Sequence, residues 1–139
     1  MKTNYTVFIV HAWDYNDHYK DLLTKLAHWF RYNASSPKEH LLAAPEIFPY
    51  SRLFLKHLIR TRIKKAHTVL IIAGNYYESR KYPYWMQTEL ELARKYNKPI
   101  IAIRPLGQKG IPPEIQKIAT TIAAWNTASI INTIFRTLA

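Results

Sequence analysis

Thr68-Val-Leu-Ile-Ile-Ala73 is followed by Tyr82-Pro-Tyr-Trp-Met-Gln-Thr-Glu-Leu-Glu-Leu-Ala-Arg-Lys-Tyr-Asn-Lys-Pro99 and then by Ile100-Ile-Ala-Ile103. The first and last segments are short, β-branched and apolar throughout, as strands buried on both faces are. Gly74-Asn75 closes the first of them. The segment between reads as a helix. Pro83 suits a first turn, where its missing N–H would be unpaired anyway. Lys95 and Lys98 sit near the far end, where positive charge favours the helix dipole, and Pro99 stops the run. Strand, helix and strand of this kind make a crossover unit, and the two strands are expected to be parallel.

The rest of the chain repeats the alternation. Tyr5-Thr-Val-Phe-Ile-Val10 is another buried strand, broken by His11-Ala-Trp-Asp14. Asp14 is placed to cap a helix, and Asp17 adds negative charge to its first turn. Leu22, Leu23, Leu26 and Phe30, with Tyr19 and Trp29 alongside, then form a helical stripe. From Asn33 to Tyr50 the pattern fails; Leu41 to Ala44 offers a short edge strand at best, and long irregular connections often carry function. Arg52 to Ala66 returns to helical spacing through Leu55, Leu58, Ile59 and Ile63. After Ile103, a loop at 107–110 leads to a short helix over Pro112–Ile118. Thr120 to Trp125 reads as the last strand, and Thr127 caps a final helix through Ile130, Ile131, Ile134 and Phe135. The expected fold is α/β: a flavodoxin-like three-layer sandwich on a central parallel sheet of order 2-1-3-4-5, its second strand short or irregular. Residues 1–139 form one domain. Ligands of such folds bind at the carboxyl ends of the strands. Here those ends are His11 to Asp14, Gly74 to Tyr76, Arg104, and Trp125 with Asn126.

Composition narrows the class. Of 139 residues, 48% are apolar and 21% charged, ordinary for a folded protein. No apolar run approaches a membrane span, the start has no signal-peptide layout, and the cysteine count of 0 excludes disulfides and thiolate metal sites. The expectation is a cytoplasmic protein with no membrane contact. Twenty Lys and Arg against nine Asp and Glu give a formal net charge of +11. Much of the excess falls in one acid-free segment, Arg52, Lys56, Arg60, Arg62, Lys64 and Lys65. Such a field draws phosphate-bearing ligands, although a solvated helix face explains the segment equally well and nucleic acid is not the expected partner.

Two carboxylates share the helix before Pro99. Glu91 has Arg94 and Lys95 at the spacing of a solvated surface pair. Glu89 has Trp85 and Met86 one turn back, Leu92 and Ala93 one turn ahead, and no cation at helical spacing. An acid framed in this way titrates high or gains from a cationic ligand. No phosphate-binding glycine loop follows the first strand, and no acidic pocket stands at a central strand end. The six histidines show no metal spacing with carboxylates, so no metal is expected.

Val7-Phe-Ile-Val-His-Ala-Trp-Asp14 and Trp85-Met-Gln-Thr-Glu-Leu90, with Ala93 and Lys98-Pro-Ile-Ile101 beyond, resemble the Toll/interleukin-1 receptor (TIR) domain family, and in particular the short TIR-like proteins of the Thoeris anti-phage defence type. The likeness spans nearly the whole chain in element order. Val10 stands for the family's usual Ser and Met86 for its usual Cys, and region 33–50 corresponds to the variable BB loop. The resemblance implies that Glu89 is catalytic and that the chain cleaves the nicotinamide–ribose bond of NAD, as an NAD glycohydrolase or ADP-ribosyl cyclase. NAD is then a substrate, and no cofactor is implied. It also implies self-association through TIR surfaces, a phage-derived activator, and a downstream effector that senses the product. Around Glu89, Trp13, Tyr84 and Trp85 would supply an aromatic wall. Backbone groups of His11, Ala12 and Asp14, with Asn75 and with Arg104 or a basic residue from 52–65, would meet the rest of the dinucleotide. Two alternatives stay open: a nucleoside deoxyribosyltransferase-like enzyme, and a TIR interaction module in which Glu89 only packs.

Overall fold

The computed structural model describes residues 3–11, 16–34, 51–74 and 84–138, with backbone alone for 16–18, 51, 52, 84 and 85. Among the described residues five strands, β1 (Thr6–Val10), β2 (Arg31–Asn33), β3 (Thr68–Ile72), β4 (Ile100–Ile103) and β5 (Thr121–Ala123), form one sheet of order β2-β1-β3-β4-β5. Every pairing is parallel, with Val7 opposite Thr68, Val69 opposite Ile100 and Ile101 opposite Thr121. This is the doubly wound order expected from the alternation of elements. The helices among the described residues are α1 (Asn16–Leu26), α2 (Ser51–Lys65), α3 (Tyr84–Lys95), α4 (Pro113–Ile118) and α5 (Thr127–Leu138). No helix among the described residues is long and apolar enough to cross a membrane.

The pleat divides the core in two. Phe8, Val10, Val69, Ile71, Ile100 and Ala102 face one side, where Leu55, Ile59 and Ile63 of α2 and Met86, Leu90 and Ala93 of α3 cover them. Val7, Ile9, Leu70, Ile72, Ile101 and Ile103 face the other, under Leu22 and Leu26 of α1 and Ile130, Ile131 and Ile134 of α5. Burial on both faces is why β1, β3 and β4 read as unbroken apolar runs. Ile130 and Ile134 are both fully buried, and each such side chain contributes about 1.5–3 kcal/mol.

Four boundaries differ from the sequence expectation. The strand beside β1 is Arg31–Asn33, which the sequence did not mark, and the stretch at 41–44 lies outside the described residues. Its exposed Arg31 and Tyr32 give an edge strand no apolar signature. Accordingly α1 ends at Leu26, whose carbonyl accepts from both Trp29 and Phe30 amides at 2.9 and 3.1 Å. Phe30 keeps its place in the apolar stripe because it plugs the core beneath α1 after the chain has turned. The cap of α5 is Asn126 and not Thr127: its Oδ1 accepts from the Ser129 amide at 2.8 Å, and Ser129 Oγ accepts from the Ala124 amide at 3.1 Å. Helix α3 stops ahead of Pro99. Asn97 adopts φ 55°, and the Asn97 and Lys98 amides return to Arg94 and Ala93 carbonyls at 3.1 and 2.9 Å. That is a Schellman ending with asparagine in the left-handed position.

Candidate active site

Helix α3 packs on α2 and β1, on the sheet face that Phe8 and Val10 serve. Its buried residues are Met86, Thr88, Glu89, Leu90, Leu92 and Ala93, and Gln87, Glu91, Arg94 and Lys95 are exposed. At about 100° per residue the buried set spans an arc of roughly 200°, and Glu89 lies at its centre. Glu89 is 1% exposed. A carboxylate almost never occupies such a position without a compensating partner or a ligand role, because burying its charge is costly. The helix begins at the carboxyl-end rim of the sheet, as the winding requires, and Glu89 follows within two turns. Glu91 points the other way, into solvent, and makes no ion pair among the described residues. The spacing to Lys95 allows such a pair, but a surface pair gains too little to hold two long side chains together.

His11 terminates β1 and is 5% exposed. It follows the parity of Val7 and Ile9, so its ring belongs to the α1 side of the sheet and stacks on Tyr19 at 3.9 Å between centroids, 4° from parallel. Burial pushes the Tyr19 phenol above the usual tyrosine value, and the nearby Tyr32 adds to the effect. Glu89 therefore rises from α3 on one side of the sheet while His11 turns to the other.

Arg104 follows β4. It lines a cleft of about 190 Å³ with Pro105, Leu106, Gly107, Gln108, Ala124, Trp125 and Asn126. Its Nη1 donates to the Lys109 carbonyl at 3.3 Å. Gln108 Nε2 donates to the Ala73 carbonyl at 2.7 Å, tying this loop to the end of β3. Of the other candidates, Ala12, Trp13, Asp14 and Asn75 lie outside the described residues, and Tyr84 and Trp85 contribute the first turn of α3 through their backbone. Among the described residues no group of three or more His, Cys, Asp or Glu could hold a metal ion.

Two contributors at this rim escape a reading of spacing alone. Trp125 Nε1 donates to Asp21 Oδ2 at 2.7 Å, and Asp21 is also paired with Lys25 at 3.1 Å. By spacing, Asp21 and Lys25 form an ordinary surface pair. The contact to Trp125 spans 104 positions and has no local signal. Gln108 likewise bears no mark in sequence of its reach back to β3.

Fold and site together define a flavodoxin-type α/β domain carrying a buried glutamate on the helix after its central strand. The fold is similar to that of Clostridium botulinum CMP N-glycosidase BcmB, at 14% identity and a TM-score of 0.51, over 94% of this chain and 98% of that one. It is also similar to the 2-deoxyribosyltransferase of the psychrotolerant bacterium Bacillus psychrosaccharolyticus, at 20% identity and a TM-score of 0.61, over 96% of this chain and 95% of that one. No curated protein matches the chain in sequence. The model of the family described as "Thoeris protein ThsB, TIR-like domain" matches residues 8–110, a span that runs from β1 through β4 and includes Glu89. The chain belongs to that family.

Proposed function

We propose that this protein cleaves the nicotinamide–ribose bond of NAD, with Glu89 as its catalytic carboxylate, and produces an ADP-ribose-type signal in anti-phage defence. The observation that carries the reading is the burial of Glu89, 1% exposed at the centre of the inward face of α3, in a chain of the Thoeris TIR-like family. As the N-glycosidic bond breaks, its electron pair neutralises the pyridinium ring, so nicotinamide leaves uncharged and needs no general acid. Positive charge develops on the sugar carbon. A nearby carboxylate in a water-poor setting stabilises that charge and can hold the ribose hydroxyls. Water then completes hydrolysis, giving ADP-ribose and a proton, or a nitrogen of the substrate's own adenine closes a ring.

In this reading NAD is a substrate drawn from the cytoplasm, and no cofactor is consumed. A phage-derived activator sets the rate, self-association through TIR surfaces accompanies activation, and a downstream effector senses the product. The test is incubation of the purified protein with NAD, with chromatographic detection of nicotinamide, in wild type, Glu89→Gln and Glu91→Gln. Release lost only in Glu89→Gln supports the assignment; equal loss in both variants sinks it.

The likeness to a 2-deoxyribosyltransferase favours a second reading, in which Glu89 attacks the sugar of a deoxynucleoside and passes it to a free base. A deoxynucleoside plus a second base separates the two. Silence in both assays, with self-assembly retained, would leave an interaction module in which Glu89 packs.

A further inference from the structure

Helices α2, α3 and α4 cover the same face of the sheet, and each runs back to the edge where the strands begin. Their last turns carry Lys64 and Lys65, Arg94 and Lys95, and Lys117. Lys98 joins them from the turn before β4, where its Nζ donates to the Lys64 carbonyl at 3.1 Å. The Thr120 amide donates to the Ile100 carbonyl at 2.7 Å, which brings the end of α4 beside that same turn. Cations from three helices thus stand along one edge, and none of them makes an ion pair among the described residues. Lys64 and Lys95 share the ring of Tyr96, at 5.0 and 5.7 Å from its centroid. A carbonyl and a π face hold these groups together without cancelling their charge. The described acids stand elsewhere. Asp17 and Asp21 belong to α1 on the other sheet face, Glu89 is buried, Glu114 opens α4, and Glu91 is one turn short of the end of α3.

From this arrangement we infer that the edge docks the phosphodiester backbone of a nucleic acid. Neighbouring helices pack about 8–10 Å apart, so the row of three helix ends is roughly 20 Å long. One strand of a duplex carries a charge every 3.4 Å or so along the axis, and about six phosphates span that length. The α2 cations alone read as a solvated helix face, which is why the sequence did not point to nucleic acid. The fold adds Arg94, Lys95, Lys98 and Lys117 to their end and turns a local cluster into a line. A lipid surface fits less well, because it needs apolar anchors among the cations. Leu53 and Phe54 open α2, Leu106 follows β4, and Trp29 and Phe135 meet on the α1–α5 side, all away from this row. An acidic protein also fits less well, since lysine is depleted where protein surfaces pair. The row stands at the far end of α3 from the strand tips, and the inference does not rest on the role proposed for Glu89.

The experiment is fluorescence anisotropy of a labelled oligonucleotide of about 20 residues, single-stranded and as its duplex, titrated with the full chain. A Kd of about 10 μM or tighter is expected at about 50 mM salt for either form. With about four phosphates engaged, raising the salt to about 200 mM should weaken the single strand roughly 50-fold and the duplex roughly 150-fold. Lys64→Gln, Lys95→Gln and Lys98→Gln together should weaken binding more than about thirtyfold and remove most of the salt dependence. Lys20→Gln, Arg31→Gln and Arg136→Gln together remove the same charge from the α1–α5 side and should weaken it less than about threefold. Thermal unfolding checks both triple variants. Lys65→Gln with Lys117→Gln, two exposed positions, should cost about tenfold and serves should the first triple fail to fold. Glu89→Gln should bind as wild type does, so a failed NAD assay and a failed nucleic-acid titration are separate outcomes. No binding at the lower salt would overturn the inference, as would equal losses in the two triple variants. So would polyglutamate or phosphatidylserine vesicles binding as tightly through the same lysines.

Discussion

Replacing Glu89 by glutamine keeps the shape of the side chain and removes its charge, which isolates the electrostatic part of the proposed mechanism. Because Glu89 is 1% exposed, its carboxylate acts through protein and not through water. With an effective dielectric of about 20 and a separation of about 3.5 Å, Coulomb's law gives roughly 332/(20 × 3.5), or about 5 kcal/mol, for a full unit charge on the sugar carbon. The transition state carries only part of that charge, and the amide oxygen of glutamine retains some attraction. A loss of about 2.5–4 kcal/mol remains, which is roughly a hundredfold to a thousandfold in kcat. Glu91 projects into solvent, so Glu91→Gln should change kcat by less than about twofold. The assay is nicotinamide release at saturating and limiting NAD. An interaction made only in the transition state lowers kcat and leaves KM nearly unchanged. Thermal unfolding of each variant supplies the control for folding. A Glu89→Gln protein that folds normally and turns over NAD at more than about a tenth of the wild-type rate would refute the electrostatic argument.

Other consequences are smaller and independent. Asn97 sits at φ 55°, so Asn97→Gly should raise stability by up to about 1 kcal/mol and Asn97→Ala should lower it by a similar amount, read from urea midpoints. Asn126→Ala removes the α5 cap and should cost about 1 kcal/mol in the same assay. The Tyr19 phenol is pushed upward by burial, so its neutral form is favoured in the fold. Its contribution is intact below the ordinary tyrosine value and declines as pH rises through the raised one. Tyr19→Phe should therefore lessen the loss of stability between about pH 9 and 11, a change in slope that denaturant melts can measure. Replacing Lys64, Lys95 and Lys98 together by glutamine should leave the KM for NAD unchanged at physiological salt.

What the sequence displayed was decided by burial. β1, β3 and β4 are covered on both faces, so each shows as an apolar run, and the alternation with helices left one economical winding. Edge strand β2 is three residues long with its side chains largely in solvent, and nothing in Arg31-Tyr-Asn33 distinguishes it from a loop. Helix ends were legible only to the nearest breaker. Pro99 marked the end of α3, but the residue that makes the turn is Asn97, because the left-handed position needs a short polar side chain or glycine. Thr127 and Asn126 are both good caps by type, and only the hydrogen bond to Ser129 decides between them. Glu89 was visible because a helix's neighbours are fixed by spacing, so an acid without a cation one turn away stands out. The Asp21–Trp125 contact joins α1 to the tip of β5, and tertiary contacts of that length leave no periodic trace.

The surplus of positive charge also reads differently once it is placed. In a parallel sheet the helices run back against the strands, so the carboxyl ends of α2 and α3 lie at the edge opposite the ligand-binding rim. There Lys64 and Lys95 stand 5.0 and 5.7 Å from the ring centroid of Tyr96, and Lys98 Nζ donates to the Lys64 carbonyl at 3.1 Å. Each cation has a local compensation: the π face of the tyrosine, a backbone carbonyl, and the negative ends of two helices. Helix α3 has 12 residues, which at 1.5 Å each puts its far end about 18 Å from its start. With a Debye length of about 8 Å, the field of these lysines at the rim falls to roughly a tenth of its unscreened value. They stabilise helix ends and do little to hold a ligand at that rim. Any phosphate at the strand tips would have to be met by groups placed there, and among the described residues Arg104 is a cation that stands at that rim.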